Sequence, residues 1–208
     1  MQLTLLGATG PTGQQILGQA LKAGHRITAL VRDPARLPQR DHPDVTVVTG
    51  DATSTDDLTR ALAGSDVVLS ALGPGKEFKS TLAGRATRAL IPAARAAGVD
   101  RVVMLSALGA GDTMRYTGVV PKTVINLMMS KLFADKAEAD ALLRSSGLDW
   151  TLVYPAILTN GSPTGTYTAR EAPRRKVSSR VSRADVADFM LKQADSKEWS
   201  RRDAILDR

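Results

Sequence analysis

The fold is decided at residues 3–17, Leu3-Thr4-Leu5-Leu6-Gly7-Ala8-Thr9-Gly10-Pro11-Thr12-Gly13-Gln14-Gln15-Ile16-Leu17. Leu3–Leu6 reads as a short apolar strand, and Gln14–Ala23 as a helix that Gly24 ends. Between them lies G-x-x-G-x-x-G. Glycines let a backbone approach a pyrophosphate with no Cβ in the way, and a helix N-terminus adds N–H donors and the positive end of a dipole. Strand, glycine turn and helix in that order point to a dinucleotide site.

Working outward, apolar runs alternate with helical patterns. Strands are predicted at Ile27–Val31, Val45–Val48, Val67–Ala71, Val102–Leu105 and Trp150–Tyr154, the last ended by Pro155. Helices are predicted at Asp56–Ala63, Thr81–Ala97, Thr123–Arg144 (one long or broken helix) and Arg183–Gln193, with Ser182 as the N-cap of the last. The strands are continuous rather than alternating in polarity, so they are buried on both faces. The fold class is therefore α/β, a doubly wound parallel sheet with helices on both faces, the Rossmann arrangement. The 208 residues read as one domain. A substrate-side loop region is expected around 107–122 and 159–180, the latter too long for an ordinary connection.

Composition removes other chemistries. The chain has no cysteine, so disulfides, thiolate metal sites, iron–sulfur clusters and a cysteine nucleophile are excluded. His25 and His42 fit no ligand spacing, and no metal is expected. No apolar run reaches the ~18 residues of a membrane span, and Met1–Gly10 lacks a basic n-region and a cleavage site. A cytoplasmic protein with no membrane partner is expected. The net charge is +7, and six cations crowd Arg170–Arg183 against one acid, Glu171. A solvated loop is the favoured reading there. A nucleic-acid patch has little support, since no aromatic residues interleave for base stacking.

The second strand ends in Val31-Arg32-Asp33-Pro34-Ala35-Arg36. An NAD enzyme usually carries an acid at that strand end to hold the ribose 2′-OH. Arg32 and Arg36 instead suit a 2′-phosphate, so NADP is expected over NAD, with Asp33 keeping NAD as the minority option. Asp51, after the third strand, either accepts from adenine beside the small Ala52 or caps the helix beginning near Ser54. Ala71, Leu72 and Gly73 leave room at the switch point of the sheet, or simply end a strand.

The segments GATGPTG (7–13), LVRDPARLP (30–38), VVTGD (47–51), LSALG (69–73), VVMLSALG (102–109), LLRSSGLDWTLVYPAIL (142–158) and VSRADVADFML (181–191) occur in one order and spacing. In this the chain resembles the atypical short-chain dehydrogenase/reductases. It is most similar to the flavin reductase / biliverdin-IXβ reductase branch, with the NmrA-like NAD(P)-binding proteins as wider relatives. The resemblance spans nearly the whole chain and is weak through Gly109–Val120 and Ala172–Ser179. It implies that Gly7, Thr9, Gly10, Pro11, Thr12 and Gly13 hold the pyrophosphate, and Arg32 and Arg36 the 2′-phosphate. Asp51 and Ala52 would flank adenine, and Ala71, Leu72 and Gly73 would pack on the ribose beyond the pyrophosphate. Ser106 would stand beside the nicotinamide and Lys136 would grip its ribose. Pro155, Ala156 and Ile157 would line the nicotinamide pocket, with the Ile157 N–H meeting the carboxamide, and Tyr154 would either line that pocket or simply fill a strand position.

One departure bears on mechanism. Members of the wider family carry Tyr-x-x-x-Lys, in which a phenol protonates the substrate carbonyl. Here the lysine position is Lys136, and the tyrosine position is Leu132. Tyr116, in the preceding loop, stands at the wrong distance from Lys122 to rebuild the motif. A hydride acceptor that delocalises its own charge, such as a flavin or tetrapyrrole, needs no phenol and can take its proton from water. The expected activity is thus an NADPH-dependent reductase acting on a small conjugated acceptor, with Ser106 and Lys136 as its catalytic residues. The alternative is a non-catalytic NADP(H)-binding regulator.

Overall fold

The structure, a computed structural model, describes residues 1–74, 81–117, 130–177 and 179–208. The strands are β1 (Gln2–Leu6), β2 (Arg26–Val31), β3 (Val45–Thr49), β4 (Val67–Ser70), β5 (Arg101–Leu105), β6 (Asp149–Pro155), β7 (Ile157–Thr159), β8 (Thr168–Arg170), β9 (Arg180–Ser182) and β10 (Arg202–Asp207). The helices are α1 (Pro11–Lys22), α2 (Thr55–Leu62), α3 (Leu82–Ala97), α4 (Ser130–Arg144) and α5 (Arg183–Asp195). One sheet has the order β3-β2-β1-β4-β5-β6-β10-β8, parallel except for β8, and β7 pairs with β9 as a separate parallel ribbon. α1 packs on α5 on one face, and α2, α3 and α4 pack in sequence on the other. The doubly wound α/β sheet expected from the continuous apolar strands is what forms: β4, β5 and nearly all of β1 are buried on both faces.

The direction of winding reverses between β1 and β4, which lie side by side. In open sheets of this kind the ligand crevice opens there, beyond the carboxyl ends of the strands. Gly7, Ala71 and Ser106 follow the ends of β1, β4 and β5, so all three reach that crevice.

Several boundaries differ from the sequence reading. α1 starts at Pro11 rather than Gln14, because proline at the first helical position lacks only an N–H that would be unbonded anyway. The expected helix Thr123–Arg144 is present as α4 from Ser130 onward, and its earlier part lies outside the described residues. β7 to β10 were not anticipated. Ser182 caps α5 as expected, accepting from the Asp185 N–H at 2.9 Å. Among the described residues no helix is long and apolar enough to cross a membrane.

The segment 159–180 is anchored rather than loose. Its two ends are held by the β7–β9 ribbon, and β8 pins its middle to the edge of the main sheet. Asp185, at the start of α5, ties its middle by accepting from the Thr164 and Gly165 N–H groups at 2.7 and 3.0 Å. Burial works to raise the Asp185 carboxyl. The Gly165 and Thr164 N–H bonds, with the Ser182 hydroxyl, outweigh it and hold the group below the ordinary aspartate range. A carboxylate with a depressed pKa in the folded state contributes stability above its unfolded value, near 4, and loses it as pH falls further. Asp185→Ala should therefore speed hydrogen exchange at the Thr164 and Gly165 amides at neutral pH. The parent protein should show the same acceleration only on acidification below about pH 4. Unchanged protection in the variant would show that the ribbon alone holds this segment.

Candidate functional site

The glycine turn is shaped by packing and by its free face. Gly7 has φ +82°, and a Cβ there would lie 2.7 Å from the Ala71 carbonyl oxygen. A Cβ on Gly13 would overlap the Gly7 carbonyl group. These two glycines therefore let β1, β4 and α1 approach one another. Gly10 is different. Its backbone is extended (φ −81°, ψ 160°), and an added Cβ would meet only the Gly7 carbonyl oxygen, at 3.3 Å. It is the N-cap of α1, and no side chain caps the helix. The first N–H groups of α1, which begins at Pro11, have no acceptor within the helix. A cradle whose cap carries no side chain fits a pyrophosphate. Pro11 is exposed at its rim, Thr9 is half-buried, and Thr12 is buried in the turn.

The adenosine side is built by a cross-strand bond. The Gly50 N–H donates to the Val31 carbonyl at 3.0 Å, which brings Asp51 close to Arg32. Asp51 does not cap α2. Ser54 does, accepting from the Asp57 N–H at 3.2 Å. Asp51 Oδ1 accepts instead from the Thr53 N–H and hydroxyl at 2.8 and 2.9 Å. The Thr53 N–H is the main reason its carboxyl sits below the ordinary range. The nearby Arg32 and Arg85 guanidiniums add to the effect. Asp33 caps a short 3-10 turn at Pro34–Arg36, accepting from the Ala35 N–H at 3.0 Å. Its carboxylate thus has a local structural task. Arg32 and Arg36 are both exposed, and neither forms an ion pair among the described residues. Ala52 and Leu72 are half-buried, Ala71 is buried and Gly73 is exposed.

The floor of the crevice departs from the sequence reading. Lys136 is only 7% exposed, and its ammonium donates to the carbonyls of Leu105 at 2.9 Å and Leu72 at 3.0 Å. It ties the end of β5 to the segment just after β4 instead of reaching outward for a ribose. Burial lowers its pKa, and the carboxylates of Asp140 and Asp135 resist that shift. Asp135 accepts from the Ala83 and Gly84 N–H groups, both at 2.9 Å, and so caps α3 from outside. Leu132, at the family's tyrosine position, is buried in the small cleft that Lys136, Gly73 and Pro74 also line.

Ser106 donates to Asp140 Oδ2 at 2.8 Å, and Tyr154 donates to the same oxygen at 2.9 Å. Arg144 then donates to the Tyr154 hydroxyl and to Asp203 Oδ2, both at 2.7 Å. Tyr154 is 0% exposed, so it belongs to this buried chain and lines no pocket. Lys136, Asp140 and Arg144 stand four residues apart on α4, which puts them on one face. That spacing was present in the sequence, but Asp140 and Arg144 went unnoticed. Pro155 and Ala156 are buried at the end of β6. The Ile157 N–H, expected to meet a carboxamide, donates to the Ser179 carbonyl at 3.3 Å within the β7–β9 ribbon. The Ile157 side chain is 56% exposed. Val177 donates to the Tyr116 carbonyl at 2.7 Å, so the two substrate-side loops meet. Of the basic residues there, Arg170 pairs with Asp207 and Arg183 bonds Asn160, while Arg174, Arg175, Lys176 and Arg180 are exposed and form no ion pair among the described residues.

Residues 7–197 match the family described as NAD(P)H-binding. An uncharacterized chloroplastic protein of Arabidopsis thaliana is 29% identical over 167 residues, 76% of this chain, and the match spans 60% of that relative. Two solved structures share the fold. The anaerobillin reductase ChuY of Escherichia coli O157:H7 has a TM-score of 0.85 at 24% identity, covering 100% of this chain and 97% of its own. A short-chain dehydrogenase/reductase of Veillonella parvula in complex with NADP has a TM-score of 0.84 at 22% identity, covering 100% and 94%.

The two kinds of glycine predict opposite outcomes. Gly10→Val should fold normally, because its φ and ψ suit any residue, and should lose detectable dinucleotide binding in a calorimeter. Gly13→Ala should lower folding stability by about 3 kcal/mol in urea, because its new methyl overlaps backbone that cannot move aside. Retained binding by Gly10→Val would remove the pyrophosphate from this turn.

Proposed function

The chain belongs to the NAD(P)H-binding family, and from that premise we propose that it is an NADPH-dependent reductase, passing hydride to a flavin-like or other conjugated acceptor without a tyrosine general acid. The observation that carries the reading is the uncapped N-terminus of α1 together with two exposed guanidiniums, Arg32 and Arg36, neither of which forms an ion pair among the described residues. An anionic pyrophosphate suits the first, and a dianionic 2′-phosphate suits the second. The reductase and the NADP complex among the fold's solved relatives agree with this choice.

The cofactor supplies hydride when bound. The chain's own residues bind it, shape the crevice and exclude a phenol from the reacting end. Leu132 is apolar where a general acid would stand. Tyr154 is sealed in the core, and the Tyr167 hydroxyl donates to Asp188 Oδ2 at 2.7 Å. A conjugated acceptor lying against the nicotinamide then needs proximity and orientation more than proton donation from a tyrosine. A regulatory reading has one observation in its favour: Ser106 and Lys136 both spend donors on the protein itself.

Anaerobic stopped flow with NADPH and a panel of flavins, quinones and tetrapyrroles decides between them. Oxidation of NADPH by a panel member is the expected result. Tight NADPH binding with no oxidation across the panel would favour the regulator. Arg32→Ala should weaken NADPH roughly tenfold or more and NADH hardly at all, since a charge-assisted bond is lost only with the phosphate. Equal losses for both would place Arg32 on the shared half of the ligand. Tyr116→Phe should leave turnover within about threefold, whereas a true general acid is worth ~10²–10⁴.

A further inference from the structure

The hydrogen-bonded chain Ser106–Asp140–Tyr154–Arg144–Asp203, buried at its first three members and exposed at Arg144, serves no role in the mechanism above. Its centre is Asp140, 2% exposed, on α4. Ser106 faces it from the end of β5 and Tyr154 from β6, both bonded to Oδ2. Lys136 and Arg144 flank it on its own helix, and Asp203 stands beyond Arg144 on β10. Asp140 Oδ1 is buried and has no hydrogen-bond partner among the described residues. A carboxylate oxygen with no donor is a poor place for negative charge.

We propose that Asp140 is the proton source behind Ser106. When Asp140 is ionised, Ser106 donates to it across the 2.8 Å bond, and the serine proton points away from the crevice. When Asp140 carries a proton, that proton makes the same bond in the opposite sense. The serine hydroxyl is then released to donate toward the crevice. The inference rests on the reductase reading and replaces water as the immediate proton donor. Hydride from the reduced nicotinamide reduces the acceptor, and the acceptor takes the Ser106 hydroxyl proton. The Oδ2–H bond of Asp140 breaks as a new O–H bond forms on Ser106. Asp140 is left as a carboxylate facing the Tyr154 hydroxyl and the Lys136 and Arg144 cations, and it regains a proton from solvent after product leaves. Burial pushes Asp140 above the ordinary aspartate range, although the Ser106 and Tyr154 bonds and the two cations pull the other way. Asp140 touches no substrate. It is a positioning residue that acts through Ser106.

Asp140→Asn tests this. The amide oxygen of asparagine can accept both hydroxyl bonds, so folding and NADP+ affinity should be kept while the transferable proton is lost. With NADP+ bound, the infrared spectrum of the parent protein at neutral pH should hold a protonated-carboxyl band that is absent in the variant and shifts in Ser106→Ala. With FMN as acceptor, the parent's single-turnover rate should fall as pH rises through the Asp140 titration. The variant should be slower by about tenfold or more and flat over the same range. Absence of the band at neutral pH overturns the proposal whether or not any acceptor is turned over. A band that Ser106→Ala leaves unshifted overturns it too, and this arm needs no folded Asp140→Asn. A variant matching the parent's rate and pH profile does the same. Failure of the parent protein to reduce any acceptor would instead remove the reductase reading, and the infrared band would still decide the state of Asp140.

Discussion

The crevice depends on one buried ammonium. Lys136 donates to the Leu105 carbonyl at the end of β5 and to the Leu72 carbonyl just past the end of β4. Burying a cation costs several kcal/mol unless it is hydrogen-bonded and faces opposite charge. Lys136 has both, since Asp140 and Asp135 lie close enough to oppose the fall in its pKa. Asp135, the residue before it, holds the Ala83 and Gly84 N–H groups at the start of α3. Two neighbouring side chains of α4 therefore fix both ends of the connection from β4 to α3. The strand ends that a dinucleotide must cross are set by this pair before any ligand arrives.

The two halves of the crevice use different physics. At the pyrophosphate end, backbone does the binding, and the glycines divide the labour. Gly7 and Gly13 permit the close packing of β1, β4 and α1, while Gly10 keeps the helix N-terminus open. At the adenosine end the groups are exposed side chains, and their energies are subject to solvent screening. Shape is thus fixed at one end and charge selects at the other. Loss of a glycine harms fold or binding according to which neighbour it faces, whereas loss of an arginine touches affinity alone.

The sheet and the glycine turn were legible because they obey strong local rules. Strands buried on both faces are continuous apolar runs, and a Gly-rich strand-to-helix turn has few other uses. The later strands were not legible. β7, β8 and β9 have three residues each, with mostly exposed or mixed patterns, and β10 buries only Ala204, Ile205 and Leu206 between charged ends. Their pairing is a tertiary matter. The buried polar chain was missed for a related reason. Helix reading looks for an apolar stripe, and one face of α4 carries Lys136, Asp140 and Arg144 in succession. For Tyr154 the sequence leaves a pocket wall and a plain strand position both open, and the structure takes the second, with the hydroxyl on Asp140.

The direction of the buried chain also limits how it exchanges protons. Every bond from Ser106, Tyr154 and Arg144 is a donation, and the Ser106 and Tyr154 donations converge on Asp140 Oδ2. The link between Tyr154 and Asp203 is Arg144, whose guanidinium stays protonated under any working condition. Burial acts against its charge, but Tyr154, Asp203 and Asp140 outweigh that and hold its pKa above the usual value. A proton cannot pass through a group that never releases one. The route from Asp203 through Arg144 to Asp140 is therefore closed to protons, although it is continuous in hydrogen bonds. Among the described residues, Ser106 and Lys136 are the groups that stand between Asp140 and the crevice. Occupancy of the crevice would then govern both when a proton is used and when it is replaced.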